Sequence, residues 1–516
     1  MGSKWLTRVH AAADVEARVR RGRPTVTTRL AIIAVAVLAA AHLAAYFLSL
    51  FLSPIGFDEA FILQAPLNLV QGLGYSTEDW LGGGANIAFD ATVTTGPVVG
   101  MPAALSFLVF GPSIVAARIV TLPFFLLLLG CLVVLGRRYA GWWGAAAALG
   151  ALLMLDGRVD FPRSVLYGSS DALGEVAAAS LIALGLVLLP RRRMLAGLAV
   201  GFAVLAKFIA AMAIPALVLA LLLIPAVRGR RWGGRIGEAA AFVGFAAIPS
   251  VAWELVKLAS LGPAQYLVSL RSYAVFVFHS GSGADGTNST DYLTRLGLLF
   301  EAWRLPLVIT VILGVAILAL AVVGVWRRRL RVDVAAIGVL LAGFLVWWVF
   351  VSSSEFVRHG MPLLMVVVPV LAAIAVVGLR RLAERGVGWR VAAAGVGIVA
   401  AGVTAYGGVL AVMASTQSPL WSRADQQATA DYVASIGVDD VQGLGWFAAP
   451  DVRFLSGVVS RPIGHGTGPL VIEPILRELS AETYAAALAL CDDVRFEQDG
   501  FVVCDVSPGT TSEIGR

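Results

Sequence analysis

The sequence predicts an all-α polytopic membrane protein of about eleven transmembrane helices, followed by a small C-terminal α/β domain outside the membrane. Three observations carry this. Apolar residues make up 59% of the 516 and charged residues only 14%, against roughly 25% charged in a soluble domain. Long apolar runs recur and are separated by short arginine clusters, which read as topology signals and not as a nucleic-acid-binding stripe. Beyond residue 413 the composition turns polar, with Asp, Gln and Gly throughout. The net charge of +6 therefore implies no nucleic-acid partner, and three cysteines are too few for a disulfide scaffold.

Taken in order, residues 1–29 are polar and basic, with Lys4, Arg8, Arg18, Arg20, Arg21, Arg23 and Arg29, and are expected in the cytoplasm. The run Leu30 to Leu52 is long enough to span and too long for a signal-peptide core, so it reads as a retained anchor helix. Residues 53–112 hold no Lys or Arg but carry Asp58, Glu59, Glu78, Asp79 and Asp90, which places them as an outer loop. Within it, Pro97 to Phe110 is only ~21 Å long as a helix, short of the ~30 Å hydrocarbon core, and is read as lying in the outer surface.

Spans are then expected at about 113–136, 141–156, 172–190, 194–208, 210–227, 236–258, 304–325, 334–351, 361–379 and 391–413. With that parity Arg137-Arg138, Arg191 to Arg193, Arg228 to Arg235, Arg327 to Arg329 and Arg380-Arg381 all fall on the cytoplasmic side. The N-terminus is inside and the membrane domain, residues 30–413, hands over to an extracytoplasmic domain, 414–516.

The same parity gathers the candidate site residues on the outer side. Asp58 and Glu59 sit where the first apolar run ends, a place where adjacent charges are costly. They serve either chemistry or the marking of a helix exit. Arg118 lies inside the outer end of its span, where an arginine snorkels or takes an anionic partner: Asp58, Glu59 or a substrate phosphate. The loop Asp156 to Arg163 mixes Arg158 and Arg163 with Asp160; Asp171 and Glu175 follow on one helix face. Lys207 is a lone lysine among apolar residues, an interfacial anchor or a phosphate ligand. Glu355, Arg358 and His359 complete the outward set, with Asp90, Asp160, Asp171 and Glu355 as acceptor-binding or supporting groups.

The acidic pair after the first span, the acidic non-basic first loop, Gly96-Pro97, and Leu108 to Ser113 running into Ala116-Ala117-Arg118 resemble the protein O-mannosyltransferases and bacterial aminoarabinose transferases of the GT-C superfamily. Leu195 to Lys207 and Arg358-His359 to Pro362 are similar to further segments of that family, so the resemblance covers roughly residues 30–378. It implies a multispanning glycosyltransferase with a polyprenyl-phosphate sugar as donor, Asp58 as the catalytic carboxylate and Arg118 as its companion. The chain departs from the family pattern at Thr94-Thr95-Gly96-Pro97, where a basic residue and two prolines are usual; a phosphate-binding cation must then come from elsewhere.

The chemistry so implied needs a base for the acceptor hydroxyl and cations for the departing phosphate. Asp58 is the expected base and Glu59 the group that positions acceptor or Arg118. Arg118, Arg158, Arg163, Lys207 and Arg358 are the phosphate candidates, with His359 as a hydrogen-bond donor. No cofactor is demanded; a divalent metal bridging carboxylate and phosphate is compatible with the chemistry, although no motif requires one. Expected partners are the donor, an extracytoplasmic acceptor on protein, glycan or lipid, and membrane lipid. A transporter or lipid flippase, or a non-catalytic scaffold of the same fold, is the alternative.

In the C-terminal domain, helices are expected at Gln426 to Ile436 and Glu473 to Leu490, a strand at Val441 to Phe447, and a hairpin from Val494 to Val506 turning at Glu497 to Gly500. Cys491 and Cys504 flank that hairpin and form either a disulfide or two separate buried thiols. The Gly464 to Gly468 loop lacks the lysine and spacing of a phosphate cradle.

Overall fold

The computed structural model describes residues 26–78, 86–158, 163–164, 169–223, 232–276, 297, 332–351, 357–416, 422–444, 449–479 and 481–510. The expected span 304–325 lies outside them. Among the described residues, five helices are long and apolar enough to cross a membrane and five further apolar helices are shorter, the architecture of a multi-pass integral membrane protein.

The first helix, α1 (Val26–Leu52), buries one stripe, including Val35, His42, Tyr46 and Ser49, and leaves Ile33, Val37 and Phe51 exposed. That is the face of a helix whose other side meets lipid. After an extended Gly56 comes α2 (Phe57–Val70), with Asp58 and Glu59 in its first turn, where carboxylates suit the positive end of the helix dipole. A two-residue hairpin, β1 (Ser76–Thr77) and β2 (Ile87–Ala88), precedes α3 (Pro97–Phe110). Gly111 takes φ 77°, and Ser113 caps the single-turn α4 (Ile114–Arg118) by accepting from the Ala116 amide.

The expected break at Arg137-Arg138 is a tight helical hairpin within α5 (Leu122–Leu152). Ala140 and Gly141 leave helical geometry, and Gly136 faces Gly144 and Ala145 so closely that a Cβ on either side would clash. Arg138 donates to the Val187 carbonyl at the end of α6 (Glu175–Leu188). Short strands β3 (Asp156–Arg158) and β4 (Arg163–Ser164) connect α5 to α6.

Helix α7 (Arg193–Ala206) ends at Lys207, whose extended backbone stops the helix before the 3₁₀ turn Phe208–Met212 and α8 (Ala213–Leu223). Helix α9 (Trp232–Phe276) outruns the expected span 236–258. Gly262, at φ 73°, followed by Pro263, breaks it, and its second leg brings Tyr273 against Lys257 and Phe208. Helices α10 (Val332–Val346), α11 (Met361–Ala383) and α12 (Val387–Thr416) complete the bundle, with α11 packed along α5 and α6.

The polar C-terminal part is a three-layer α/β unit. Its sheet has strand order β6-β5-β7-β9-β8, from β5 (Asp440–Gly443), β6 (Val459–Pro462), β7 (Leu470–Ile472), β8 (Asp493–Gln498) and β9 (Phe501–Asp505). β5 runs parallel to β6 and β7, and β9 is antiparallel to β7 and β8. Alternation divides the faces: Val471 and Val503 join Val433 and Val452 under α13 (Arg423–Ser435) and α14 (Pro450–Ser456). Leu470, Ile472, Val502 and Cys504 join Leu476 and Ala487 under α15 (Ile475–Leu479) and α16 (Ala481–Leu488).

The expected helix Glu473 to Leu490 is thus two helices; the expected strand 441–447 begins as β5, and its residues 445–447 lie outside the described residues. The β8–β9 hairpin turns at Asp499 and Gly500, both at positive φ (42° and 86°), the geometry of a two-residue type I′ turn. Cys491 and Cys504 are joined in a disulfide with Cα atoms 5.5 Å apart. In the Gly464–Gly468 loop, the Thr467 and Gly468 amides donate to Asp440 Oδ1 at 3.0 and 2.7 Å, so these amides serve the fold.

Replacing both disulfide cysteines by serine should lower the stability of the C-terminal domain by about 2–5 kcal/mol, read as a fall in its denaturant midpoint. A second expectation concerns Glu473, fully buried beside Asp451. Desolvation first, then the Asp451 charge and hydrogen bond, push its carboxyl well above the ordinary 4.5. Between pH 4.5 and that raised pKa the folded domain holds a proton that the unfolded chain has lost, so stability falls as pH rises across the window. Glu473→Gln should flatten this slope in urea titrations at a series of pH values.

Candidate active site at the end of the bundle

The site forms where α1 ends and α2 begins. Arg118, 1% exposed, meets Glu59, 2% exposed, through Nε to Oε1 at 2.9 Å and Nη2 to Oε2 at 2.6 Å. Its Nη1 donates to the carbonyls of Ser49 and Ser53 at 3.3 and 3.0 Å, and Nη2 also to that of Pro54 at 2.8 Å. All five N–H donors of the guanidinium are thereby used within the protein. Of the partners expected for Arg118 the structure shows Glu59, and the side chain also caps the C-terminus of α1, where a cation suits the negative end of the helix dipole.

The surroundings complete the arrangement. Glu59 Oε1 accepts the Ala172 amide at 2.9 Å, and Asp171 Oδ1 lies 3.4 Å from Arg118 Nη2. Tyr46 donates to the Arg118 carbonyl and meets the Thr121 hydroxyl, while Ser49 meets Ser170. Asp58 is half-buried in the first turn of α2. A small pocket, open to one side, is lined by Pro54, Gly56, Asp58, Glu59, Arg118, Asp171 and Leu173. Three carboxylates and one guanidinium therefore face a common space.

Beside it, three chain segments meet at backbone distance. Thr95 pairs with Lys207 in a single antiparallel bridge, and Lys207 Nζ donates to the Leu173 carbonyl and to Glu175 Oε1, each at 3.0 Å. Thr95 Oγ1 also donates to Leu173, at 2.5 Å. Gly174, at φ 89°, leaves no room for a Cβ, which would strike the Ala206 carbonyl; Gly96 faces Leu205 in the same way. Lys207 thus stands next to the segment where the basic residue of the family pattern is missing.

The remaining sequence candidates divide. Asp90 accepts from Thr77 and Thr92 and braces its own loop. Arg158 and Arg163 are placed by their backbones in β3 and β4, and Arg358 in the 3₁₀ turn Val357–Gly360, which packs against β3; His359, in the same turn, is half-buried. Asp160 and Glu355 lie outside the described residues. Among the described residues no group of three or more His, Cys, Asp or Glu side chains is placed to hold a metal ion.

Residues that sequence reasoning did not single out come from the C-terminal domain. Gln426 makes a reciprocal pair with the backbone of Ile55, Oε1 accepting from its N–H at 2.9 Å and Nε2 donating to its carbonyl at 3.0 Å. Arg423 donates to the carbonyls of Leu50 and Phe51 at 3.2 and 2.9 Å, and burial followed by the Arg118 charge lowers its pKa. Arg453 binds Glu78 at 2.7 Å. As polar residues in a polar domain they carry no contrast in the sequence.

Bundle and appended α/β unit together define the class: a multispanning membrane protein with a small α/β domain at one end. In particular, the chain is similar to crystal structures of ArnT from Cupriavidus metallidurans, in the apo state (17% identity, TM-score 0.57) and bound to undecaprenyl phosphate (15%, 0.57), covering 91% of this chain and 97% of that one in each case. It is also similar to the Archaeoglobus fulgidus oligosaccharyltransferase tethered with an acceptor peptide (12%, TM-score 0.51), over 83% of this chain and 64% of that one. No protein-family model and no curated protein matches the sequence.

Glu59→Ala should leave Arg118 charged and buried without its anion and cost about 3–5 kcal/mol. Adding Arg118→Met should recover only part of this, because the Ser49, Ser53 and Pro54 carbonyls then lose their donor. A double-mutant cycle on thermal or denaturant stability in detergent reads both.

Proposed function

We propose that the protein transfers a sugar from a polyprenyl-phosphate carrier to a hydroxyl of an acceptor on the extracytoplasmic side. The observation that carries the reading is the cavity that joins Asp58 to the Glu59–Arg118–Asp171 cluster at the end of the bundle on which the C-terminal domain sits. The fold is that of ArnT, one of whose crystal structures is bound to undecaprenyl phosphate, and the sequence resembles the same transferases. Mannose is the commonest sugar in the resembled family and is the first donor to test.

In this mechanism Asp58 takes the proton of the acceptor hydroxyl. The acceptor oxygen bonds to the anomeric carbon from the face opposite the phosphate, the bond from that carbon to the phosphate oxygen breaks, and its electron pair leaves with the phosphate, so the anomeric centre inverts. Glu59 and Arg118 hold the backbone that presents Asp58. Lys207 supplies positive charge where the family pattern has a basic residue, and Arg158 and Arg358 bring further cations on adjoining segments. Membrane transport is a poorer fit, since the ionisable groups Glu59, Arg118, Asp171, Glu175 and Lys207 gather at one end of the bundle and a transporter places them near the midplane.

Purified protein in nanodiscs, given radiolabelled polyprenyl-phosphate mannose and an envelope extract, should form a labelled product. Asp58→Asn should lower that rate by about 10²–10⁴-fold with unchanged thermal stability. Failure of the wild type with mannose and then with other lipid-phosphate sugars would overturn the reading.

A further inference from the structure

The helix that bears Asp58 and Glu59 is held at both ends by the C-terminal domain. Before it, Gln426 clasps the backbone N–H and C=O of Ile55, three residues from Asp58, while its remaining Nε2 hydrogen goes to Asp451 Oδ2 at 2.5 Å. Beyond it, Arg453 binds Glu78, whose amide donates to Gln64 of the same helix at 3.2 Å. Between these points α14 packs directly on α2, and Phe454 meets Phe107. Gln426 is itself fixed: it is fully buried, Asp451 is 2% exposed, and Asp451 Oδ1 accepts the Val452 amide at 2.8 Å.

An amide that satisfies both the N–H and the C=O of one residue ties down the two peptide groups that flank its Cα. A free linker of four residues, 53–56, between α1 and α2 would have neither held. Arg118 secures Ser49, Ser53 and Pro54 from the membrane side but makes no bond to Ile55, the last residue before Gly56.

We propose that Gln426 is a positioning residue for Asp58, and that the C-terminal domain is thereby part of the catalytic unit. The assignment rests on the transferase reading for its kinetic consequence and on the hydrogen bonds alone for its structural one. Displacing a catalytic group by about 1 Å costs roughly 10²-fold in rate, without weakening donor binding made elsewhere.

The test is Gln426→Met in the full-length protein in nanodiscs, a side chain of similar length that fills the site and makes neither hydrogen bond. Two readouts are taken: transfer from polyprenyl-phosphate mannose, or whichever lipid-phosphate sugar the wild type uses, and hydrogen exchange by mass spectrometry. Expected are a fall in kcat of roughly 10²-fold, a donor KM within about twofold, and at least a tenfold faster exchange confined to peptides spanning 53–60. Unchanged exchange at 53–60 overturns the proposal, as does faster exchange there with no fall in kcat. Exchange that rises throughout 423–505 also overturns it, because Gln426 would then be serving only the stability of its own domain. If the wild type transfers nothing, the transferase reading fails, while the exchange measurement still decides whether Gln426 holds this segment.

Discussion

The site depends on a buried arginine. A guanidinium at 1% exposure tolerates neither a missing anion nor an idle donor, and Arg118 has both needs met by one short stretch of chain, Ser49 to Glu59. Asp171 apart, the bonds described for it also constrain that stretch: three carbonyls at the end of the first helix and both oxygens of Glu59. Asp58 is covalently next to Glu59 and inherits the constraint. Its orientation follows from a network in which it need not take part.

This divides labour between two adjacent carboxylates of the same chemistry. Glu59 is buried and bound on both oxygens, to Arg118 and to the Ala172 amide, whereas Asp58 is half-buried and opens on the cavity. In the proposed mechanism the proton acceptor, Asp58, needs access to its substrate, and the residue that braces it needs burial. One residue of helical rotation, about 100°, is enough to separate the two roles.

Much of the bundle is legible in the sequence because hydropathy and arginine clusters are strong, repeated signals. Gly141 and Gly262 mark breaks that sit close to those clusters or to a proline. Helices such as Glu175–Leu188 and Arg193–Ala206 are shorter than the apolar runs that contain them, because Gly174 and Lys207 end them through contacts between distant segments. Within the site, Asp58, Glu59, Arg118 and Lys207 stand out as charges in apolar surroundings. Who pairs with whom is less plain: the sequence leaves Arg118 a choice of Asp58, Glu59 or a phosphate, and Lys207 gives no sign of Glu175. The strands β6 and β7, four and three residues long, are too short to show alternation. Arg423, Gln426 and Arg453 are invisible for a different reason, since their partners lie more than 370 positions away.

That separation bears on how the molecule is made. The first helix enters the membrane early, yet its Leu50 and Phe51 carbonyls and the Ile55 peptide find their partners 373, 372 and 371 residues later. At 5–20 residues per second the ribosome needs about 20–75 s to supply them. Through that interval the Leu50 to Ile55 stretch lacks the partners that Arg423 and Gln426 later supply.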